Sequence, residues 1–344
     1  MTKLAKDNLF VLVKSMTKSE KRQFKLYIGR LGVNEDSKFL LLFKVLDGLK
    51  AYSETAILKD GFVKKQQLSN LKAHLYKQIL ISLKLNPSRQ NLRIQLREQL
   101  DFATILYHKG LYKQSLKILD KAKSLAIKNQ EKNIAYEIVE LEKVIESQYI
   151  TRSLSNRADE LTIQAKELSH QNVIASKLSN LSLQLYGLFL KTGYVKNDSE
   201  YQKVTDYFNK RMPKYKIEAL GFREKLWLYK SYLWYSFLIQ DFKSCYKYAR
   251  KWVDLFYDNE TMIPLNPVFF LKGYQYLLEA LFFVKHHQKF KSVLSDFEKI
   301  TQKSWFPHDD NIDGLVFLYL YSNKINLHFM PVSYTHLRAH ETRT

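Results

Sequence analysis

Residues 95–128 read QLREQLDFATILYHKGLYKQSLKILDKAKSLAIK, and the fold is decided here. Apolar residues recur every three or four positions, the period of a helix with one buried face, and nothing alternates with the period of two that a half-buried strand needs. Gly110 interrupts the pattern after Lys109 and Tyr112 restarts it. The spacing therefore predicts two helices joined by a short turn, a helical hairpin. Ala103, Ser115 and Ala122 are small residues on its facing sides. Antiparallel helices approach closely only where no bulky side chain intervenes, which gives these positions a packing role.

Later segments repeat the layout. Ala158 and Ala165 keep the seven-residue spacing of Ser115 and Ala122, behind a helix expected over about 133–150. Further pairs are expected over 173–191 with 199–212, 222–238 with 242–257, and 268–285 with 290–302. Pro267 opens the last of these, as proline favours a first helical turn. A final helix is expected over 312–329. Toward the N-terminus, Thr17 followed by Glu20 forms a capping-box pattern that starts a helix over 18–30. A second helix is expected over 38–50, a short one after Ser53, a turn at Asp60-Gly61, and a long helix over 64–85 that Pro87 ends.

Gln99, Phe102, Ala103 and Leu106 on the first helix of 95–128, with Ser115, Leu119 and Ala122 on the second, resemble the spacings of the tetratricopeptide repeat. The match is degenerate, with Gln99 where the repeat has Trp and Ile127 where it has Pro. The resemblance implies an all-α protein: an N-terminal helical domain over 1–87, then an α-solenoid of tetratricopeptide-like helical hairpins over 88–330, stacked as a right-handed superhelix. The last expected helix lacks a partner, which fits a truncated array, since a repeat cannot bury its face alone. The chain to Met330 is also similar to an uncharacterised Bacteroidetes-type helical-repeat family that begins with Met16-Thr17-Lys18-Ser19-Glu20-Lys21-Arg22. That similarity implies interaction or scaffolding and brings no catalytic residues with it. Residues 332–344, VSYTHLRAHETRT, resemble translated sequencing-adaptor read-through. On that resemblance 331–344 are an artefactual tail with no expected fold, and the natural chain is expected to continue past Met330.

Composition narrows the function classes. With 46% hydrophobic and 26% charged residues the chain is neither disordered nor collagen-like, and six Pro and ten Gly are too few for an all-β protein. A single cysteine, Cys245, excludes an intramolecular disulfide and a cysteine-built zinc site, and fits a cytoplasmic setting. The apolar run at 9–13 is too short for a signal segment or a membrane span. The most apolar stretches, 226–239 and 268–284, are interrupted by Lys230 and by Lys272 and Glu279, so they read as buried helices and no membrane partner is expected. No glycine-rich phosphate loop, serine-hydrolase signature or metalloprotease signature is present in the sequence. Neither enzymatic activity nor a cofactor is expected. His308, Asp309, Asp310 and Asp313 read as an acidic first turn complementing a helix dipole rather than as metal ligands.

The formal charge is +21, and only twelve of the 55 basic residues are Arg, a balance that favours lysine solvation over bidentate phosphate reading. Residues 1–90 hold eighteen Lys or Arg against seven Asp or Glu, so the excess is concentrated there. Two functional expectations follow. The first is a non-enzymatic scaffold that binds a peptide or protein partner in the concave groove lined by first helices. Its groove residues would be Arg97, Asp101, Thr104 and His108, then Trp227, Lys230 and Trp234, then Gln275, Glu279, Phe282 and Lys285, with aromatic anchors among them. Against this, Trp227, Trp234 and Phe282 lie at a spacing that also suits packing between helices. The alternative is a nucleic-acid-binding regulator with the repeats as sensor. There the short helix, the turn and the basic helix form a helix-turn-helix in which Lys64, Lys65, Gln67 and Lys72 contact nucleic acid. Its competitor is an ordinary solvated face.

Overall fold

The computed structural model describes residues 7–32, 37–85, 91–148 and 156–341, with side chains described as far as Met330. Among the described residues there are sixteen α-helices, one short 3-10 turn and no strand. The chain divides into two compact units, Met1–Gln95 and Leu96–Thr344.

The first unit holds α1 (Asn8–Ser15), α2 (Lys18–Arg30), α3 (Lys38–Gly48), α4 (Glu54–Lys59) and α5 (Lys65–Lys84). Helix α1 goes beyond the sequence expectation. Asp7 caps it by accepting from the Phe10 N–H, and Leu9 and Val13, four apart, form its buried stripe. The capping box of α2 forms as the sequence indicates, Thr17 and Glu20 bonding each other's backbone. Ser37 and Ser53 cap α3 and α4, each satisfying an N–H that the helix start would leave unpaired. Gly61, at φ +69°, takes the left-handed conformation that lets the chain reverse into α5. Phe24, Ile28, Phe43, Leu46, Leu75 and Ile79 form the centre of this core, with the Phe24 and Phe43 rings 4.8 Å apart. Pro87, the expected stop of the long helix, lies outside the described residues.

The second unit begins within α6 (Leu92–His108) and continues with α7 (Tyr112–Lys128) and α8 (Lys132–Gln148). Gly110, at φ +74°, makes the turn between α6 and α7. Across that hairpin the Ser115 hydroxyl donates to the Ala103 carbonyl at 2.7 Å, and Ala103, Ser115 and Ala122 are buried. Ala103 and Ser115 thus meet at the helix contact.

Helix α9 (Arg157–Thr192) corrects an expectation. The sequence suggests one helix around Ala158 and Ala165 and another from Val173, whereas a single helix of 36 residues spans both. Residues 169–173, Ser-His-Gln-Asn-Val, contain neither Gly nor Pro, so nothing halts propagation between the two. Gly193, at φ +70°, ends it. Then follow α10 (Asp198–Arg211), the 3-10 turn Ile217–Ala219, α11 (Phe222–Leu238), α12 (Phe242–Tyr257), α13 (Met262–Leu265), α14 (Pro267–Phe283), α15 (His287–Thr301) and α16 (Asp310–Glu341).

Helices pack mainly on near neighbours in the chain: α7 on α8, α8 and α11 on the long α9, α11 on α12, α12 on α14, and α14, α15 and α16 on one another. One core runs from Leu181 of α9 to Met330 of α16, with Trp252, Phe256, Phe270 and Phe297 fully buried. Two buried ion pairs brace the first half of the unit. Lys123 meets Glu142 at 2.6 Å between α7 and α8, and Lys132 meets Glu224 at 3.0 Å between α8 and α11. Asp309 caps α16 by accepting from the Asn311 and Ile312 N–H groups, and His308 bonds Asp313 at 2.8 Å, so these residues organise a helix start.

Helix α16 departs from expectation at its far end. The sequence predicts a stop at Pro331 and no fold over 331–344, yet the helix runs to Glu341. Pro331 removes one backbone hydrogen bond, and helix formers such as Leu337, Arg338, Ala339 and Glu341 carry the helix past it. Its other surface exposes Phe317, Leu318, Tyr321, Ile325 and Phe329. Among the described residues no helix is long and apolar enough to cross a membrane.

Candidate functional site

Helices α11 and α14 meet through aromatic pairs: Trp227 with Phe269, ring centroids 5.6 Å apart, and Trp234 with Tyr276, also 5.6 Å. The second half of α9 closes the third side, Tyr186 lying 4.7 Å from Trp234. These three helices enclose a pocket of about 350 Å³. Helix α9 contributes Ser179, Asn180, Ser182, Leu183 and Tyr186 to its wall, α11 contributes Trp227, Lys230 and Trp234, and α14 contributes Lys272 and Tyr276. The helical period explains the grouping, because Trp227, Lys230 and Trp234 are three and four residues apart and share one face of α11.

The electrostatics of this pocket are unusual. Lys230 lies over the Trp227 ring at 4.8 Å and 5.8 Å from the centroid of Phe269. Neither Lys230 nor Lys272 has a carboxylate within ion-pair distance among the described residues. Burial, and then the neighbouring Lys272 charge, bring the Lys230 ammonium down to a pKa of about 8. Ser182 Oγ and Trp234 Nε1 are buried with no hydrogen-bond partner among the described residues. Polar groups in such positions usually find partners, so the wall of a pocket that holds two cations also carries two unsatisfied polar atoms among the described residues.

Because its pKa is lowered in the fold, Lys230 costs stability below about pH 8, and that cost fades as pH rises toward the unfolded value near 10.5. Lys230→Met is therefore expected to stabilise the protein at pH 7 by about 1 kcal/mol, after discount for the solvent at the open side. The gain should shrink above pH 10. Denaturant melts at the two pH values check this; a loss of stability at pH 7 would contradict it.

The remaining expected groove residues are placed elsewhere. Arg97, Asp101 and His108 are exposed on α6, and Thr104 is half-buried with its hydroxyl donating to the Leu100 carbonyl at 2.8 Å. None of these four lines the pocket. Gln275 accepts from Asn323 of α16 at 2.7 Å, which ties it to internal packing. Glu279 is half-buried, and burial raises its pKa. Phe282 is half-buried near the end of α14, while Lys285 is exposed at φ +54° in the turn to α15. Trp234 is only 6% exposed and is chiefly a packing residue that shows an edge to the pocket. Sequence reasoning missed Lys272, Ser182, Tyr186 and Tyr276. The signal for Lys272 was its place inside the most apolar stretch of the chain, where a lysine needs a reason.

In the first unit, Lys64, Lys65 and Gln67 are exposed at the start of α5. Lys72 differs: it is bound to Asp7 and to the Tyr52 hydroxyl. Burial opposes its charge, but these two bonds outweigh that and raise its pKa. Burial also pushes the Cys245 thiol far above its ordinary value, and its Sγ faces the Leu233 carbonyl. Among the described residues no group of three or more His, Cys, Asp or Glu could hold a metal ion.

Fold and pocket together define an all-α protein with a basic, aromatic-walled site between helices. Comparison of the chain with family models, curated proteins and solved structures gave no match.

Proposed function

We propose that this protein is a non-enzymatic interaction scaffold whose second unit is a stack of degenerate tetratricopeptide-like hairpins binding a peptide or protein partner. Hairpins α6/α7, α11/α12 and α14/α15 are its repeats, and the partner lies along the side where α11 and α14 adjoin α9. The supporting observation is the pocket at that junction, where Trp227 and Tyr186 offer aromatic surface beside two lysines that have no carboxylate within ion-pair distance among the described residues. Anchors of this kind commonly carry the energy of an interface. Selection from a random peptide library against the whole chain tests the reading. The enriched peptides are expected to bind at least tenfold more weakly to Trp227→Ala. Peptides that bind wild type and variant equally, or a selection without enrichment, would refute it.

A second reading is nucleic-acid binding by the first unit, favoured by the exposed Lys64, Lys65 and Gln67 behind a short helix and a tight turn. On this reading, replacing Lys64 and Lys65 by Ala lowers the salt slope of duplex binding by about 2, one for each lysine that no longer meets a phosphate. Lys72→Met leaves the slope unchanged, since Asp7 already occupies that ammonium. Duplex titration of the full chain across salt measures both, and an unchanged slope in the double variant sinks the reading.

A further inference from the structure

We propose that the pocket between α9, α11 and α14 is a carboxylate site, which on the peptide reading above receives an acidic side chain or the C-terminal carboxylate of the partner. Lys230 and Lys272 line one small cavity, repel each other, and have no carboxylate of this chain within ion-pair distance among the described residues. A pair of like charges held half-buried is a cost that an arriving anion removes. The donors that face the cavity are the two ammonium groups and the Asn180 amide, while the Ser182 hydroxyl and the Trp234 indole N–H are buried within its wall with no partner among the described residues. No carboxylate lines the cavity and both of its charged groups are cations, so its charge is complementary to an anion.

The remaining wall says what kind of anion. Trp227, Tyr186, Tyr276 and Leu183 are aromatic or apolar, so an entering charge leaves water on those sides. A carboxylate carries one charge and a phosphate nearly two, and desolvation penalises the second far more. About 350 Å³ suits one side chain or chain end with its immediate neighbours.

The four tryptophans, Trp227, Trp234, Trp252 and Trp305, give a direct readout. In the ¹⁵N-labelled full chain each indole N–H gives one signal, assigned by Trp→Phe substitution, and only Trp227 and Trp234 line the pocket. The probes are leucine-flanked capped tripeptides with a central glutamate, glutamine or phosphoserine, a neutral tripeptide with a free C-terminal carboxylate, and the pair indole-3-acetate and indole-3-acetamide. The expected result is movement of the Trp227 and Trp234 signals, with those of Trp252 and Trp305 still. The glutamate peptide, the free-carboxylate peptide or both should bind at least tenfold better than the glutamine peptide. Which of the two does so names the source of the carboxylate. Lys230→Met and Lys272→Met should each weaken binding at least fivefold, the first while melting no lower than wild type, so that a folding defect is excluded.

Glutamate and free-carboxylate peptides that both bind no better than the glutamine peptide, undiminished binding to Lys230→Met, or no shift from any probe overturns the proposal. A phosphoserine peptide that binds tenfold tighter than glutamate overturns the choice of carboxylate. Shifts from indole-3-acetate without any from the peptides uphold the pocket chemistry and refute its use by a peptide. Library-selected peptides that need Trp227 but are indifferent to charge uphold peptide binding and refute the carboxylate site.

Discussion

Replacing Glu142 with Ala is expected to lower the unfolding free energy of the second unit by about 3–5 kcal/mol. Glu142 is fully buried on α8 and takes Lys123 of α7 at 2.6 Å and Arg157 of α9 at 3.3 Å. Once it is gone, Lys123 remains buried beside no anion, and the cost of an unpaired buried charge exceeds the worth of the pair itself. Two controls separate these contributions. Glu142→Gln keeps the shape and one acceptor and should lose less. The double variant Lys123→Met, Glu142→Met removes both charges and should recover much of the loss, because apolar replacements of buried ion pairs are often neutral or better. All four tryptophans lie in the second unit, so their emission in a urea melt follows it without contribution from the first. A loss below 1 kcal/mol would show that the pair is not the brace between α7, α8 and α9.

Trp252→Ala should be comparably severe, about 3–5 kcal/mol, by emptying the largest fully buried side chain of the core. Its position depends on Gly273 of α14. A Cβ on that glycine would stand 3.0 Å from Trp252 Cδ1, so the helices approach closely because no side chain intervenes. Gly273→Ala is accordingly expected to cost about 1–3 kcal/mol by overpacking. Combined with Trp252→Phe, which frees space, it should cost less than the two single changes together. Additive losses in that melt series would place the two residues in separate packing problems.

Features written in neighbouring residues were legible from the sequence. The Thr17–Glu20 capping box, the turn glycines Gly61 and Gly110, and the small-residue contact of Ala103 with Ser115 each depend on a few positions, and each forms. The continuity of α9 was not legible, because paired hairpins and one uninterrupted helix share the same apolar period; only a Gly or Pro in 169–173 could have told them apart. The ion pairs were hidden for another reason. Lys123 and Glu142 are 19 residues apart, and Lys132 and Glu224 are 92 apart, distances over which periodicity says nothing about charge.

The candidate site was half legible. Trp227, Lys230 and Trp234 share a helix face and could be grouped by spacing alone. Lys272 comes from α14 and Ser182 from α9, and only the packing of three helices brings them together. Conversely, Gln275 and Trp234 satisfied the spacing of groove positions while tertiary packing claimed them, Gln275 by Asn323 and Trp234 by Tyr186 and Tyr276. Helical period finds the face that a residue shares with its neighbours; it does not say whether that face ends against solvent or another helix.

Where a partner lies on the second unit decides the scaffold reading, and site-directed photocrosslinking measures that most directly. Leu183, 68% exposed at the mouth of the pocket, is replaced by benzoylphenylalanine, and the same substitution is made at Ile163, 57% exposed on the same helix. The two positions are twenty residues apart, roughly 30 Å along α9. A third probe goes at Ile325 on the exposed apolar side of α16. Library-selected peptides are predicted to crosslink at position 183 and at neither control, and to lose that crosslink in Trp227→Ala. Crosslinking at 163 or 325 with none at 183 would contradict binding at the α9, α11 and α14 junction.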